Sequence, residues 1–263
     1  SVTLKPKILF VGYGHLAKSL ASNSFLKNFT IDSINSKSQI YSLNLRRFKK
    51  KLNSPYKYVF LLVRPILFNQ KGAEFIKYID SKTTIVSCMA GVNINRIQQI
   101  INSKNIIRIM PNVMAKQNAS HTYVYAKNKK LINNSFYKIL KSFGTYHISS
   151  KEDEINIATA LYGSGPAFIA FLVNAFVAAS KDISPHSKVN EMDIFHLFKN
   201  VISINDSSLK LEKFVQSIAS KKGTTQAGVH FLKSQNLKKI MYTTLHRAYK
   251  RAKEISIEKQ FSK

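Results

Sequence analysis

The sequence predicts an α/β domain built on a mainly parallel sheet over residues 1–149, followed by an all-helical domain over residues 150–263. Three observations carry this prediction. Short β-rich runs alternate with helix-length amphipathic stretches as far as His147, a glycine turn follows the first of those runs, and from Glu152 onward only helical periodicity remains. A length of 263 residues accommodates two modest domains.

Strand character falls at residues 7–11, 30–34, 58–63, 84–87, 106–110 and 121–125, and helices are expected at 18–25, 43–52, 68–79, 94–101 and 130–143. In the second domain Ser164-Gly165-Pro166 divides the opening helical segment, because proline suits the first turn of the apolar stretch 167–179 but breaks a helix that precedes it. Residues 193–204, 207–219, 225–234 and 237–257 complete the helical set.

Composition narrows the function classes. A 44% hydrophobic chain with 9 Gly and 6 Pro is a globular one. The single cysteine, Cys88, excludes an internal disulfide and a multi-cysteine zinc site, which suits a reducing cytoplasm. No histidine has metal-ligand spacing, so no metal is expected. The apolar stretch 167–179, interrupted by Asn174, is shorter than the roughly 18–20 residues of a bilayer span, so no membrane association is expected.

The net charge of +28 points towards anionic partners. Of the 41 cations, however, only 7 are arginine, and Lys, Ile and Asn together make up 84 of the 263 residues, a bias of coding composition rather than of recognition. Nucleic acid is therefore not the expected partner. The dense run Arg46-Arg47-Phe48-Lys49-Lys50-Lys51 reads as a solvated helix face.

Gly12-x-Gly14-x-x-Ala17, with His15 and Leu16 between, follows the first strand and opens a helix, which is the dinucleotide-binding fingerprint of a Rossmann-like domain. The first glycine allows the turn, the second lets a pyrophosphate approach the helix start, and the small third residue allows close packing. An NAD site carries an acid at the end of the second strand. Here Asn35-Ser36-Lys37 stands in that place, so NADPH is favoured over NADH, with Asp32 the competing carboxylate if the strand end shifts.

From this point the chain resembles the pyrroline-5-carboxylate reductase family. Val63-Arg64-Pro65 is similar to its Val-Lys-Pro strand end, Ser87-Cys88-Met89-Ala90-Gly91-Val92 to its Ser-x-x-Ala-Gly-Val block, and Arg108-Ile109-Met110-Pro111-Asn112 to its Arg-x-Met-Pro-Asn segment. Gly163-Ser164-Gly165-Pro166-Ala167-Phe168 resembles its Gly-Ser-Gly-Pro-Ala-aromatic signature, and Ser220-Lys221-Lys222-Gly223-Thr224-Thr225 its Ser-Pro-Gly-Gly-Thr-Thr substrate loop.

The resemblance implies NADPH-dependent reduction of the C=N bond of 1-pyrroline-5-carboxylate to proline. It implies cofactor contacts from Arg64, Pro65, Ala90, Gly91 and Asn112, with Asn53 a further candidate. Ser220, Gly223, Thr224 and Thr225 would bind substrate, the N–H groups of Gly223 and Thr224 taking its carboxylate. Thr225 would be the catalytic residue, facing the ring nitrogen. The helical domain would form a homodimer, or larger assemblies of dimers, with the substrate loop completing a site between subunits. The departures are Val113-Met114 for Thr-Pro, no recognisable Glu-Gly around Asn118-Ala119, Asn174 for an acid on the long helix, and Lys221-Lys222 for Pro-Gly.

Two rival readings differ in testable ways. A 3-hydroxy acid dehydrogenase would place a lysine on the long helix, and residues 163–179 contain none. A non-catalytic basic protein would bind nucleic acid with strong salt dependence and show no turnover.

Overall fold

The computed structural model describes residues 4–183, 186 and 188–257. Its sheet contains β1 (Lys7–Val11), β2 (Thr30–Ile34), β3 (Ile40–Ser42), β4 (Arg47–Lys49), β5 (Tyr58–Leu61), β6 (Thr84–Ser87), β7 (Ile106–Met110), β8 (Ser120–Tyr125) and β9 (Gly144–Ile148). The order across the sheet is β4-β3-β2-β1-β5-β6-β7-β8-β9. The strands β2, β1, β5, β6 and β7 are parallel, so their C-terminal ends share one edge. Beyond β2 the sheet continues antiparallel through β3 and β4, and beyond β7 through β8, to which β9 is parallel.

Both faces of the parallel strands are covered, which is why β1 and β5 read as nearly continuous apolar runs. On β1, Ile8 and Phe10 point into a cluster with Phe25, Phe60, Phe136 and Phe143, while Leu9 and Val11 point into one with Val59, Leu61, Phe68 and Ile97. The first face is closed by α1 (His15–Leu20), α2 (Asn23–Asn28) and α5 (Asn134–Phe143), and the second by α3 (Pro65–Lys71) and α4 (Ile94–Ile101). Each fully buried large apolar side chain contributes roughly 1.5–3 kcal/mol.

Residues 43–52, expected to be helical, are instead a turn followed by the edge strand β4. Asn44 explains the difference: its amide donates to the carbonyls of Leu26 and Phe29 and its oxygen accepts from the Ile31 N–H at 2.7 Å. These long-range bonds stitch the turn to the start of β2 and override local helix propensity. The basic run is accordingly a strand edge, with Phe48 against Tyr41 at 5.2 Å and Lys49 paired with Asp32. The strand β9 was likewise not expected. The helix expected at 18–25 is two, α1 and α2, broken at Ala21 and restarted where Ser22 caps the Phe25 N–H.

The second half contains α6 (Asp153–Ala158), a π turn (Thr159–Gly163), α7 (Gly165–Asp182), α8 (Glu191–Ile204), α9 (Ser208–Ile218), α10 (Thr224–Ser234) and α11 (Leu237–Ile257). By packing, the chain forms two compact units, one running to Ser164 and resuming at Arg247, the other from Gly165 to His246. Thus α6 and the last turns of α11 belong to the sheet-containing unit.

Within the helical unit, α7 buries only Gly165 and Val177, and leaves Ile169, Phe171 and Phe176 more than half exposed. The π turn joins α6 to α7, so the helical stretch Asp153–Asp182 is long and apolar enough to cross a membrane by length and composition, beyond the measure of residues 167–179 alone. An exposed apolar face of this size marks an interaction surface.

Candidate cofactor and substrate sites

At the shared edge of the parallel strands, the turn after β1 adopts the conformation the fingerprint requires. Gly12 has φ +98°, donates its N–H to the Ile34 carbonyl at 3.0 Å, and would place a Cβ 3.0 Å from the Leu62 carbonyl oxygen. Only glycine fits there. A Cβ on Gly14 would meet no protein atom within 4 Å, because this residue faces open space at the start of α1.

That space is a cleft of about 670 Å³. The β1–α1 turn contributes Gly12, Tyr13 and Gly14, the β2–β3 turn Asn35, Ser36 and Ser38, and the segment after β5 contributes Arg64, Leu67 and Lys71. It lies beside β1 where the chain order reverses between β2 and β5, the place where doubly wound sheets bind dinucleotides. The open approach at Gly14 and the volume fit such a ligand.

Five of the expected cofactor residues line this cleft: Gly12, Gly14, Asn35, Ser36 and Arg64. His15, Leu16, Lys37 and Pro65 adjoin it in sequence without lining it. Tyr13, Ser38, Lys71 and Lys77 line it and were missed. The signal for Lys71 was present, since Arg64, Leu67, Lys71 and Glu74 follow at helical spacing from the Pro65 start.

Asp32 does not compete for a ribose. It sits in the middle of β2, 1% exposed, receiving the Tyr56 hydroxyl at 2.7 Å and the Lys49 ammonium at 3.0 Å. Burial first, then the Asp32 carboxylate, pushes the Tyr56 hydroxyl well above its ordinary pKa. Tyr56 also accepts the Asn53 N–H, and Asn53 does not line the cleft.

Further along the edge, Ala90 and Gly91 form the turn after β6. Gly91 has φ +72°, and a Cβ there would collide with the Ala252 carbonyl and the Ile255 side chain of α11. Asn112, 8% exposed, caps the turn after β7 by accepting the Met114 N–H at 2.9 Å. Cys88 is buried, which drives its thiol far above the ordinary range and makes it inert. Among the described residues no group of three or more His, Cys, Asp or Glu could hold a metal.

In the helical unit, Ser220 to Gly223 form a tight turn into α10. The Gly223 N–H donates to the Ser220 carbonyl at 3.0 Å, so it is engaged in the turn, and the first intrahelical bond is from Ala227 to the Gly223 carbonyl. The N–H groups of Thr224, Thr225 and Gln226 therefore lack intrahelical acceptors, and Gly223 has no side chain to cap them. Lys222 has φ +60° and its N–H is held by Gln226 Oε1 at 2.6 Å. The family's motif has glycine at this position, which adopts such a backbone freely. Lys222→Gly is expected to stabilise the protein by about 1 kcal/mol, read as a rise in Tm.

A family model described as pyrroline-5-carboxylate reductase dimerisation matches residues 152–255, the segment that carries the exposed face of α7. A pyrroline-5-carboxylate reductase of Staphylococcus haemolyticus is 30% identical over 95% of this chain and 98% of its own length. That of Staphylococcus aureus strain COL is likewise 30% identical over 95% and 98%. Among solved structures, a pyrroline carboxylate reductase of Plasmodium falciparum with NADP bound superposes with a TM-score of 0.75 at 18% identity, covering 95% of this chain and 98% of that one. The 1-pyrroline-5-carboxylate reductase of Streptococcus pyogenes gives 0.75 at 22%, covering 94% and 98%. With both the nucleotide-side turns and the helical unit accounted for along nearly the whole chain, it belongs to the pyrroline-5-carboxylate reductase family.

Proposed function

We propose that this chain reduces 1-pyrroline-5-carboxylate to L-proline with NADPH, acting as a homodimer in the cytoplasm. The observation that carries the reading is the start of α10. There a turn without a capping side chain presents the free N–H groups of Thr224 to Gln226 beside the hydroxyls of Ser220 and Thr225. An anionic imine acid needs these partners: N–H donors at a helix start for its carboxylate, and a hydroxyl donor for its ring nitrogen.

NADPH, when bound, supplies the hydride. The chain holds its pyrophosphate at Gly12 and Gly14 and its adenosine end at Asn35 and Ser36, with Arg64 and Lys71 adding positive charge across the cleft. Lys37 follows the same turn, and His15 and Leu16 open the adjoining helix. Pro65 fixes the start of α3, and Ala90, Gly91 and Asn112 provide the nicotinamide side.

The carboxylate cradle is displaced one residue from the expected Gly223, because that N–H serves the turn. Thr224, Thr225 and Gln226 take its place, with Ser220 contributing its hydroxyl. The Thr225 hydroxyl makes no hydrogen bond within the described residues and is free to donate to the ring nitrogen. A threonine hydroxyl is too weak an acid to release the proton itself, so the neutral imine that it hydrogen-bonds takes its proton from water, while an already protonated iminium donates its N–H to the hydroxyl oxygen until hydride addition gives the nitrogen a lone pair. The apolar side chains of α7 supply the surface for a second copy.

The test follows NADPH absorbance with 1-pyrroline-5-carboxylate, comparing wild type with Gly223→Trp. A Cβ at Gly223 already crowds the Ser220 hydroxyl, so the indole displaces that group and blocks the loop. Turnover in wild type, lost in the variant with NADPH binding retained, supports the assignment. Absence of turnover despite NADPH binding overturns it. Ser36→Asp places a carboxylate where a 2′-phosphate is read and is expected to weaken NADPH about tenfold while sparing NADH, measured as the ratio of the two Kd values.

A further inference from the structure

The strand β7 carries an arginine where its neighbours are apolar. Ile107 and Ile109 point into the core beneath α5, while Ile106, Arg108 and Met110 point to the opposite face. Arg108 is 2% exposed, and its Nε and Nη2 have no partner. Burial lowers its pKa, opposed by the nearby Glu152. A buried guanidinium is expensive to hold, and replacing such a pair by apolar groups is often neutral or stabilising, so stability alone does not explain it.

One oxygen of Glu152 explains what the pair joins. Glu152 Oε1 accepts from Arg108 Nη1 at 3.2 Å and from the Ile94 N–H at 2.7 Å. Ile94 is the first residue of α4, so the carboxylate ties β7 to the helix that ends the Ala90–Gly91 turn. The next residue, Asp153, receives the Tyr249 hydroxyl of α11 at 2.5 Å, and α11 supplies the Ala252 carbonyl against which Gly91 is seated. The turn is thereby fixed at its end by Glu152 and at its middle by the helix that Asp153 holds.

We propose that Glu152 is a positioning residue for the nicotinamide half of the cofactor, acting through the Ile94 N–H on the Ala90–Gly91 turn, with Arg108 holding the carboxylate in place. The proposal rests on the nicotinamide reading of that turn. It follows that the adenosine half of the cofactor, bound over β1 and β2, is indifferent to Glu152.

The experiment compares Glu152→Gln with Glu152→Ala with Arg108 kept, since both remove the same charge from beside the guanidinium and differ only in the acceptor. Glutamine retains an acceptor for the Ile94 N–H and alanine does not. Titrations use NADPH and 2′,5′-ADP, which lacks the nicotinamide. The expected result is that the alanine variant binds NADPH about tenfold more weakly than the glutamine variant, with equal affinity for 2′,5′-ADP, and has a lower kcat at an unchanged KM for the imine substrate. Equal loss for both ligands, or no difference between the variants, overturns the proposal. If wild type binds NADPH no more tightly than 2′,5′-ADP, the nicotinamide reading itself falls, and the proposal with it.

Discussion

Replacing Thr225 by alanine is expected to lower kcat about 100-fold, the usual cost of removing one donor aimed at charge that changes in the transition state. The hydroxyl has no partner among the described residues, so its loss breaks no internal hydrogen bond. Thr225 is half-buried in the first turn of α10, and alanine is the better helix former, so Tm should not fall. NADPH affinity should be unchanged, because Thr225 is not among the residues that line the cleft. Thr225→Ser separates chemistry from shape by restoring the hydroxyl without the methyl, and should recover most of the rate. A Thr225→Ala enzyme with full kcat, or a serine variant no better than alanine, would remove this residue from the mechanism.

Gly14→Asp is expected to weaken NADPH by about 1,000-fold, equivalent to about 4 kcal/mol, through steric exclusion and repulsion of the pyrophosphate. The apo-protein should respond in the opposite direction. Gly14 occupies the N-cap of α1 with φ −90° and ψ −161°, open to any residue, and its Cβ would meet nothing within 4 Å. Aspartate is among the best N-caps and exceeds glycine by a few tenths of a kcal/mol. Tm without cofactor should therefore hold or rise slightly, while added NADPH loses the stabilisation it gives wild type. Gly12→Ala is the contrasting control. With φ +98° and the Leu62 carbonyl 3.0 Å from a new Cβ, it should destabilise the fold itself. Retained NADPH binding by Gly14→Asp would mean that the cleft is not the pyrophosphate site.

The two substitutions are expected to differ because Gly12 is required by the backbone whereas Gly14 faces open space in the cleft, a distinction that the fingerprint alone does not make. The parallel strands were legible because both faces are covered, and Lys7–Val11 reads as an apolar run whatever its neighbours are. The three-residue strands β3 and β4 were not. Ten residues with Leu43, Leu45, Arg46 and Lys50 look helical, and only the bonds from Asn44 to the Leu26–Ile31 region decide otherwise. In the site, the glycine turn, Ser36 and the Thr224-Thr225 loop were visible as local motifs. The engagement of the Gly223 N–H depends on the turn geometry at Lys222, and the Arg108–Glu152 pair joins residues 44 apart that no local pattern connects.

The seating of Gly91 against Ala252 sets the order in which the molecule can be completed during synthesis. The five parallel strands and the glycine turn after β1 emerge first, yet Gly91 in the turn after β6 lacks its Ala252 seat until 161 further residues have been made. Between these events the whole helical unit, Gly165 to His246, leaves the ribosome, including the apolar face of α7. A nascent chain therefore displays its self-association surface before its nucleotide unit is closed, and a long loop-closure step stands late in folding, where non-local contacts slow the rate. Partner capture on the polysome, between neighbouring copies of the same unfinished chain, is the assembly route that this chain order favours.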